Sequence, residues 1–523
     1  MEHGILSLLP PILALLMVII TKRVLLSLGI GIIVGALMVN QSEEQFINET
    51  FSQIITIVTN IFVVDDGINT WEFYILLFLL TLGMIAALIT MTGGSRAFGE
   101  WALSRVKTRV GAQFVSGILG ILIFIDDYFN SLTVGNVSRP FTDRHKVSRA
   151  KLAYTVDSTA AAMCVLVPLS SWGAYIITII GDILAESTAE YSALQAFLMI
   201  APMNFYAVFA ILMVFAVAYF KLDIGPMRKH ELHAIQTGEL VDVNKGPVPG
   251  ESDDAKPVVE GRVGDLLWPI TTLIAATVLF MIITGIQGTE GQAGLLATFE
   301  NTDVAASLLY GGLISLVVTI GIAFMRSLPV KDLGIGLWAG IKSMLPAIYI
   351  LIFAWTIIEI IGELGTGEYL ATIVDDHIHL GLLPALLFVI AGFMAFTTGT
   401  SWGTFGIMLP IAGQMAIVTD ISLLLPVLAA VLAGAIFGDH CSPISDTTIL
   451  SSTGAGSHHI DHVLTQLPYA LMIGGVAVTG FLIIGFTGSL LLALLGAAVT
   501  FVVTILILKL MINLFYNGPV END

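Results

Sequence analysis

The sequence predicts an all-α polytopic membrane protein of two inverted-topology repeats, each holding a re-entrant hairpin and a discontinuous transmembrane helix, with about 11 spans plus two hairpins. Three observations predict this. Of the 523 residues, 56% are apolar and 11% are charged, a balance that soluble globular chains do not show. Lys and Arg gather at Lys22 and Arg23, Arg96 to Arg109, Arg139 to Lys151, Lys221 to Lys229, and Arg326 with Lys331, which assigns those loops to the cytoplasm. A proline-serine break also recurs, because Pro168, Leu169, Ser170 and Ser171 can be laid over Pro443, Ile444, Ser445 and Asp446.

The first repeat takes residues 1–220. Gly4 to Ile20 lacks a basic leader and a small-residue cleavage site and is followed by Lys22 and Arg23, so a retained span is expected there. Spans at 24–39 and 71–90 then leave the amino terminus outside, with an acidic outer loop over 41–70 that carries Glu43, Glu44, Glu49, Asp65 and Asp66. Between Arg109 and Arg139 lie 29 residues, about 44 Å of helix, whereas two hydrocarbon crossings need about 60 Å. Both ends are basic, so a re-entrant hairpin is expected at about 110–138, buried in protein or lining a cavity. The apolar stretch at about 152–186 crosses once and is broken at Val167 to Gly173, where a proline, two serines and a glycine free backbone groups in mid-membrane. A span at about 193–220 returns to the cytoplasm.

Residues 221–263 are polar, charged and rich in Pro and Gly, the composition of a cytoplasmic linker. The second repeat, 264–488, begins inside with spans near 266–286, 304–325 and 345–363, so it is the first turned upside down. A hairpin is expected at about 380–418 around Thr397 to Gly406, a length that two short spans would also fit. A broken helix follows at about 421–452, interrupted at Gly438 to Thr448, and then a span at 466–487. Residues 489–523 are an extra span and tail, with the carboxyl terminus cytoplasmic.

Within this core the charged residues are Asp126, Asp127, Asp157, Asp439 and Asp446, with His440 beside them and no Lys or Arg. A carboxylate at membrane depth is costly unless paired or hydrated, so five without a cationic partner imply cations, either metal ions or protons. A hard cation such as Na+ takes carboxylate, hydroxyl and carbonyl oxygens. The candidates for ion or proton binding are Asp126, Asp127, Asn130 and Ser131 at the first hairpin, Asp157 on the next helix, and Asp439, His440, Ser442, Ser445, Asp446, Thr447 and Thr448 at the second break. Thr133, Ser158, Thr159, Ser170, Ser171, Thr400 and Ser401 are candidates for substrate contact or gating. A carboxylate that either ion neutralises, but not both, is enough for exchange.

Blander roles stand beside these. Asp157 with Ser158 and Thr159, and Ser445 with Asp446, would cap half-helix termini. Trp172 and Trp402, each beside Ser and Gly at a break, read as packing rather than as a gate, and His440 serves equally as a proton relay or a satisfied core histidine. His458, His459 and His462 read as a solvated cytoplasmic turn. Sodium is the one metal expected, at the same residues, with no cofactor; Na+ and H+ are transported ions. The expected partners are membrane lipid and monovalent cations, and a homodimer is compatible with the chain. A net charge of -18 argues against nucleic acid. Cys164 and Cys441 give no disulfide framework. The Gly-x-Gly-Asp motif of an intramembrane protease is missing, since Ile436 precedes Phe437, Gly438 and Asp439, so no enzyme is expected.

GDHCSPISDTTILSSTGAG, Gly438 to Gly456, and FIDDYFNSLTVG, Phe124 to Gly135, resemble the NhaC-type sodium/proton antiporter family, within the broader ion-transporter superfamily. The resemblance extends over roughly residues 1 to 490. It implies inverted repeats, each with a re-entrant hairpin and a broken helix. The family's motif positions fall on Asp126, Asp127, Asn130 and Ser131, and on Asp439, His440, Ser442, Pro443, Ser445, Asp446, Thr447 and Thr448. Proteins alike in these motifs include sodium/proton exchangers, sodium-coupled malate/lactate exchangers and proposed amino-acid carriers. The function expected is exchange of Na+ (or Li+) for H+ across the bacterial cytoplasmic membrane by alternating access. The alternative is Na+-coupled transport of a small organic solute, a dicarboxylate, lactate or amino acid. The absence of a core Arg, the usual planar clamp for carboxylates, favours the exchanger.

Overall fold

The computed structural model describes residues 4–21, 23–64, 67–242, 245, 258–289, 298, 301–365, 369, 379–443 and 445–516. Lys22, Asp65, Asp66 and Ile444, named above, lie outside the described residues. The chain is all-α, as a lipid environment demands, because each helix pairs its backbone N–H and C=O groups within itself. The strands among the described residues are β1 (Val63–Val64) and β2 (Gly67–Ile68), one short antiparallel pair.

The first half runs through α1 (Leu9–Thr21), α2 (Val24–Val39), α3 (Phe46–Asn60), α4 (Glu72–Met91), α5 (Gly94–Arg105), α6 (Arg109–Leu122), α7 (Asp127–Arg144), α8 (Arg149–Leu166), α9 (Ser171–Ala185), α10 (Ala193–Ile200), α11 (Phe205–Phe220) and α12 (Gly225–Thr237). The second runs through α13 (Gly264–Gly288), α14 (Val304–Met325), α15 (Val330–Glu363), α16 (Leu383–Thr398), α17 (Ser401–Thr419), α18 (Leu424–Cys441), α19 (Asp446–Ala455), α20 (His459–Thr487) and α21 (Leu490–Tyr516). Among the described residues eight stretches are long and apolar enough to cross a membrane: α4, α8 with α9, α13, α14, α17, Ile421–Cys441, α20 and α21. The pair α10 and α11, bent by 49°, makes a ninth. Gly4–Ala14, Leu25–Val39, Arg109–Leu122 and Leu380–Phe396 are shorter apolar helices.

Two bodies pack together. One contains α1, α2, α4, α13, α14 and α15; the other contains α6 to α9, α11 and α16 to α20, with α21 along α20. Glycines let the first body's helices touch, since a methyl on Gly83 of α4 would come within 2.3 Å of the Gly340 carbonyl of α15. The bodies meet where α4 lies on α9, α15 on α17, and α1 on α16 and α17, while α5 packs on both α7 and α13. Beside this seam Glu72, Asp182, Glu186 and Glu359 line a cavity of about 380 Å³ together with Trp355.

Two stretches expected to be loop or linker contain helix. The 41–70 region holds α3, which is mostly exposed. The 221–263 region begins with α12, docked through Met227, Arg228, Glu231 and Ala234. Its charges are matched inward: Glu231 pairs with Arg109 and lies 3.3 Å from Lys151 Nζ, and Asp223 takes Lys151 at 2.6 Å. Burial opposes ionisation of Glu231, but Lys151 and Arg109 beside it hold its carboxyl below the ordinary glutamate range.

Candidate functional site

Four helices of the second body begin at breaks in the chain: α7, α9, α17 and α19. A helix start leaves N–H groups unpaired, and in an apolar interior a side chain must take them. Asp126 accepts from Phe129 N at 3.0 Å, Ser170 from Gly173 N at 2.8 Å, Thr400 from Gly403 N at 3.4 Å and Ser445 from Thr448 N at 3.2 Å.

α6 and α7 pack as one hairpin, α16 and α17 as another, and each tip reaches a break by the same bond. Ser171 N donates to Ile125 O at 2.9 Å, and Asp446 N donates to Gly399 O at 3.4 Å. Ser171 and Asp446 are the positions that coincide when the two proline-serine breaks are overlaid. Gly399, at φ +70, supplies the left-handed turn of the second tip. Trp172 and Trp402 meet edge to face with centroids 6.0 Å apart, joining the halves.

The acidic side chains differ in how many donors reach them. Asp126 is satisfied, since its second oxygen accepts from Ser171 Oγ at 2.9 Å. Asp157 is reached by four groups from the second repeat: Thr448 Oγ1 at 3.2 Å, Ser451 Oγ at 3.1 Å, Gln466 Nε2 at 2.5 Å and His462 Nε2 at 3.3 Å. Asp439 accepts from Thr447 Oγ1 at 2.7 Å. Asp446 is exposed and accepts from the Tyr128 hydroxyl at 2.9 Å. Asp127 differs: Oδ1 accepts from Trp172 Nε1 at 2.9 Å, whereas Oδ2 is buried with no hydrogen-bond partner among the described residues. Three residues on, Asn130 spends its amide N–H groups on Gly120 O and Ile123 O, each at 2.7 Å, and leaves Oδ1 buried and unpartnered. Asp127, Asn130 and Ser131 share one face of α7, being three and four residues apart.

The other candidates are placed elsewhere or tied to backbone. Ser442 donates to Phe396 O at 2.7 Å, Ser170 to Cys164 O at 2.6 Å, Thr159 to Thr155 O at 2.8 Å and Ser401 to Ala435 O at 3.4 Å. Ser158 faces a small gap with Tyr154, Tyr206 and Tyr469, and Thr133 is buried on α7. His440 Nδ1 lies 3.0 Å from the Tyr206 hydroxyl.

His462 does not lie in a solvated turn; it is fully buried against Asp157. The reason is a helix boundary. α20 starts at His459 rather than near 466, so His462 and Gln466 stand one turn apart and both point at Asp157. Their four-residue spacing ahead of an apolar run was the signal available. His458 and His459 do sit at the helix start, against Asp242 O and Pro443 O. Trp172, whose sequence context favours packing over a gate role, also donates to one Asp127 oxygen.

At the far end of α19, Arg139 binds Thr453 O, and Arg149 binds Ala455 O at 3.2 Å and Asp143 at 2.7 Å. These cations complement the carbonyl end of a short helix. Between the ends, α7 and α19 touch through Gly135 and Gly454, where a methyl on Gly135 would lie 2.4 Å from the Gly454 carbonyl carbon.

Paired hairpins and broken helices, with buried carboxylates at the breaks, define a secondary transporter. The chain belongs to the Na+/H+ antiporter family, whose model matches residues 163–486. It is 48% identical over 508 residues, 96% of this chain and 95% of the other, to an uncharacterised protein of Haemophilus influenzae. It is 32% identical over 162 residues, 30% of this chain and 33% of the other, to the malate-2H(+)/Na(+)-lactate antiporter of Bacillus subtilis. Among solved structures it resembles Neisseria gonorrhoeae MtrF, at TM-score 0.52 and 13% identity over 85% of each chain, a likeness of fold. The Alcanivorax borkumensis YdaH transporter gives TM-score 0.50 at 13% identity, over 86% of this chain and 90% of that one.

Proposed function

We propose that this transporter exchanges Na+ (or Li+) for H+ across the bacterial cytoplasmic membrane by alternating access, with both hairpins re-entrant and the basic end in the cytoplasm. The cation sits on Asp127 Oδ2, Asn130 Oδ1 and Ser131 Oγ. One observation carries this assignment: Asp127 and Asn130 each keep a buried acceptor oxygen that no group among the described residues reaches. Such an oxygen is costly to leave empty, and a hard cation is the ligand that suits it. Asp157 and Thr448, whose polar atoms are taken up by each other and by their neighbours, lie outside this seat. Asp126 serves as a cap that holds the hairpin tip to Ser171.

The test is the collapse of a respiration-driven pH gradient in everted vesicles from an antiporter-deficient host on adding NaCl, LiCl or KCl, with choline chloride as control. A Na+- or Li+-specific collapse that Asp127→Asn removes is the expected result. No response in well-expressed vesicles refutes the exchange.

The second hairpin favours one other reading, Na+-coupled transport of a small organic solute. The start of α17 is capped by the neutral Thr400 and carries no acid, a setting suited to a carboxylate. The Bacillus subtilis relative named above for malate and lactate agrees with it. Uptake of malate, lactate and amino acids into proteoliposomes separates the two.

A further inference from the structure

Ser451 stands between the two halves of the site. Its Oγ lies 3.1 Å from Asp157 Oδ1 and 3.1 Å from Ser131 Oγ, and it is fully buried. A serine hydroxyl carries one proton, so it donates to one of these acceptors at a time. We propose that Ser451 is the coupling residue of the exchanger: its single proton is given to Asp157 or to Ser131, so that a proton on Asp157 and a cation on the first hairpin exclude one another. This rests on the Na+/H+ reading above.

The logic follows from acceptor strength. An ionised carboxylate is the better acceptor, by roughly a factor of two over a neutral oxygen. With Asp157 ionised, Ser451 turns to it, and the lone pairs of Ser131 are left to face the cation beside Asp127 and Asn130. With a proton on Asp157 that attraction fades and Ser451 turns to Ser131, presenting the positive end of its O–H dipole to the cation seat. No proton leaves Ser451 in either state; the proton exchanged comes from water and returns to it.

The groups that face Asp157 fit this division. His462 and Gln466 approach from α20, His440 and Asp439 from α18, and Tyr206 from α11 lies against His440. α19 offers only hydroxyls, Thr448 and Ser451. Nδ1 of His462 and Nε2 of His440 are buried without hydrogen-bond partners among the described residues, so a proton has positions beside Asp157 as well as on it.

The experiment compares wild type, Ser451→Ala and Ser451→Thr in proteoliposomes, measuring Na+/Na+ exchange and the KM for Na+ as a function of pH. Coupled ligands commonly shift one another's affinity by about 5–150-fold, and a wild-type KM that rises by such a factor on acidification is expected. Ser451→Ala should keep Na+/Na+ exchange while the pH shift shrinks below about fivefold, the lower end of that range; Ser451→Thr, which keeps the hydroxyl, should keep the shift. A full pH shift in Ser451→Ala overturns the inference and leaves the exchanger reading intact. So does loss of Na+/Na+ exchange in a Ser451→Ala protein that reaches the membrane, because the residue then belongs to translocation. Wild-type protein that carries no Na+ overturns the exchanger reading and the inference with it.

Discussion

At the tip of the first hairpin the helix start is capped by Asp126 and followed by Asp127, whereas Thr400 and Ser401 stand at that point in the second. At the breaks the order reverses, with Ser170 and Ser171 in the first repeat and Ser445 and Asp446 in the second. Each hairpin and break therefore present one acidic and one hydroxyl partner to each other, joined by the same backbone bond. Two acidic arms in one repeat would set carboxylates against each other in a medium of low dielectric. The repeats also differ in exposure, since Asp127 is buried and Asp446 is not. The same hairpin-and-break arrangement thus holds one buried acidic group and one exposed one.

The largest effect that would break this comparison is at Asp127. Asp127→Asn should abolish Na+-dependent exchange, while Thr400→Ala at the matching tip should change it less than about tenfold, a cap being worth about 1 kcal/mol. Equal losses in the two vesicle assays would mean that the repeats are functionally alike. Next comes Trp172→Phe, which keeps the ring against Trp402 and Phe405 but strips the donor from Asp127 Oδ1. Leaving that oxygen unsatisfied costs about 1–3 kcal/mol, on the order of a tenfold change in Na+ affinity by titration of transport. Tyr128→Phe sharpens the other side: exposed Asp446 can turn to water, so a change of threefold or less, about 0.6 kcal/mol, is expected in the same assay.

The smallest effect concerns α12. Glu231 has a depressed folded-state pKa, so its contribution is present above the ordinary glutamate value and is lost as pH falls through the lower folded value. Acidification below the ordinary value should loosen the α12 dock and raise proteolysis around Lys229; unchanged cleavage there would show that the ion cluster does not hold it.

The membrane class was legible because lipid imposes apolar length, and the two breaks because proline and serine punctuate at recurring positions. The motif carboxylates were also visible. Which of them keeps a free oxygen was not, because that depends on partners far along the chain: Asp157 on helix α8 is satisfied by Thr448, Ser451, His462 and Gln466. Helix α12 read as linker for a related reason. Charge suggests solvent until its counter-charges, here Arg109 and Lys151, are brought against it by tertiary contacts.

The abutting glycines of α7 and α19 leave no clearance between their main chains. At that point the two helices touch main chain to main chain, with the side-chain contacts Tyr128–Asp446, Ser131–Ser451 and Arg139–Thr453 on either side of it. Close packing of this kind ties the first hairpin to the half-helix α19. An alanine at Gly135 would therefore force α7 and α19 apart, since its methyl would meet main chain that cannot turn aside.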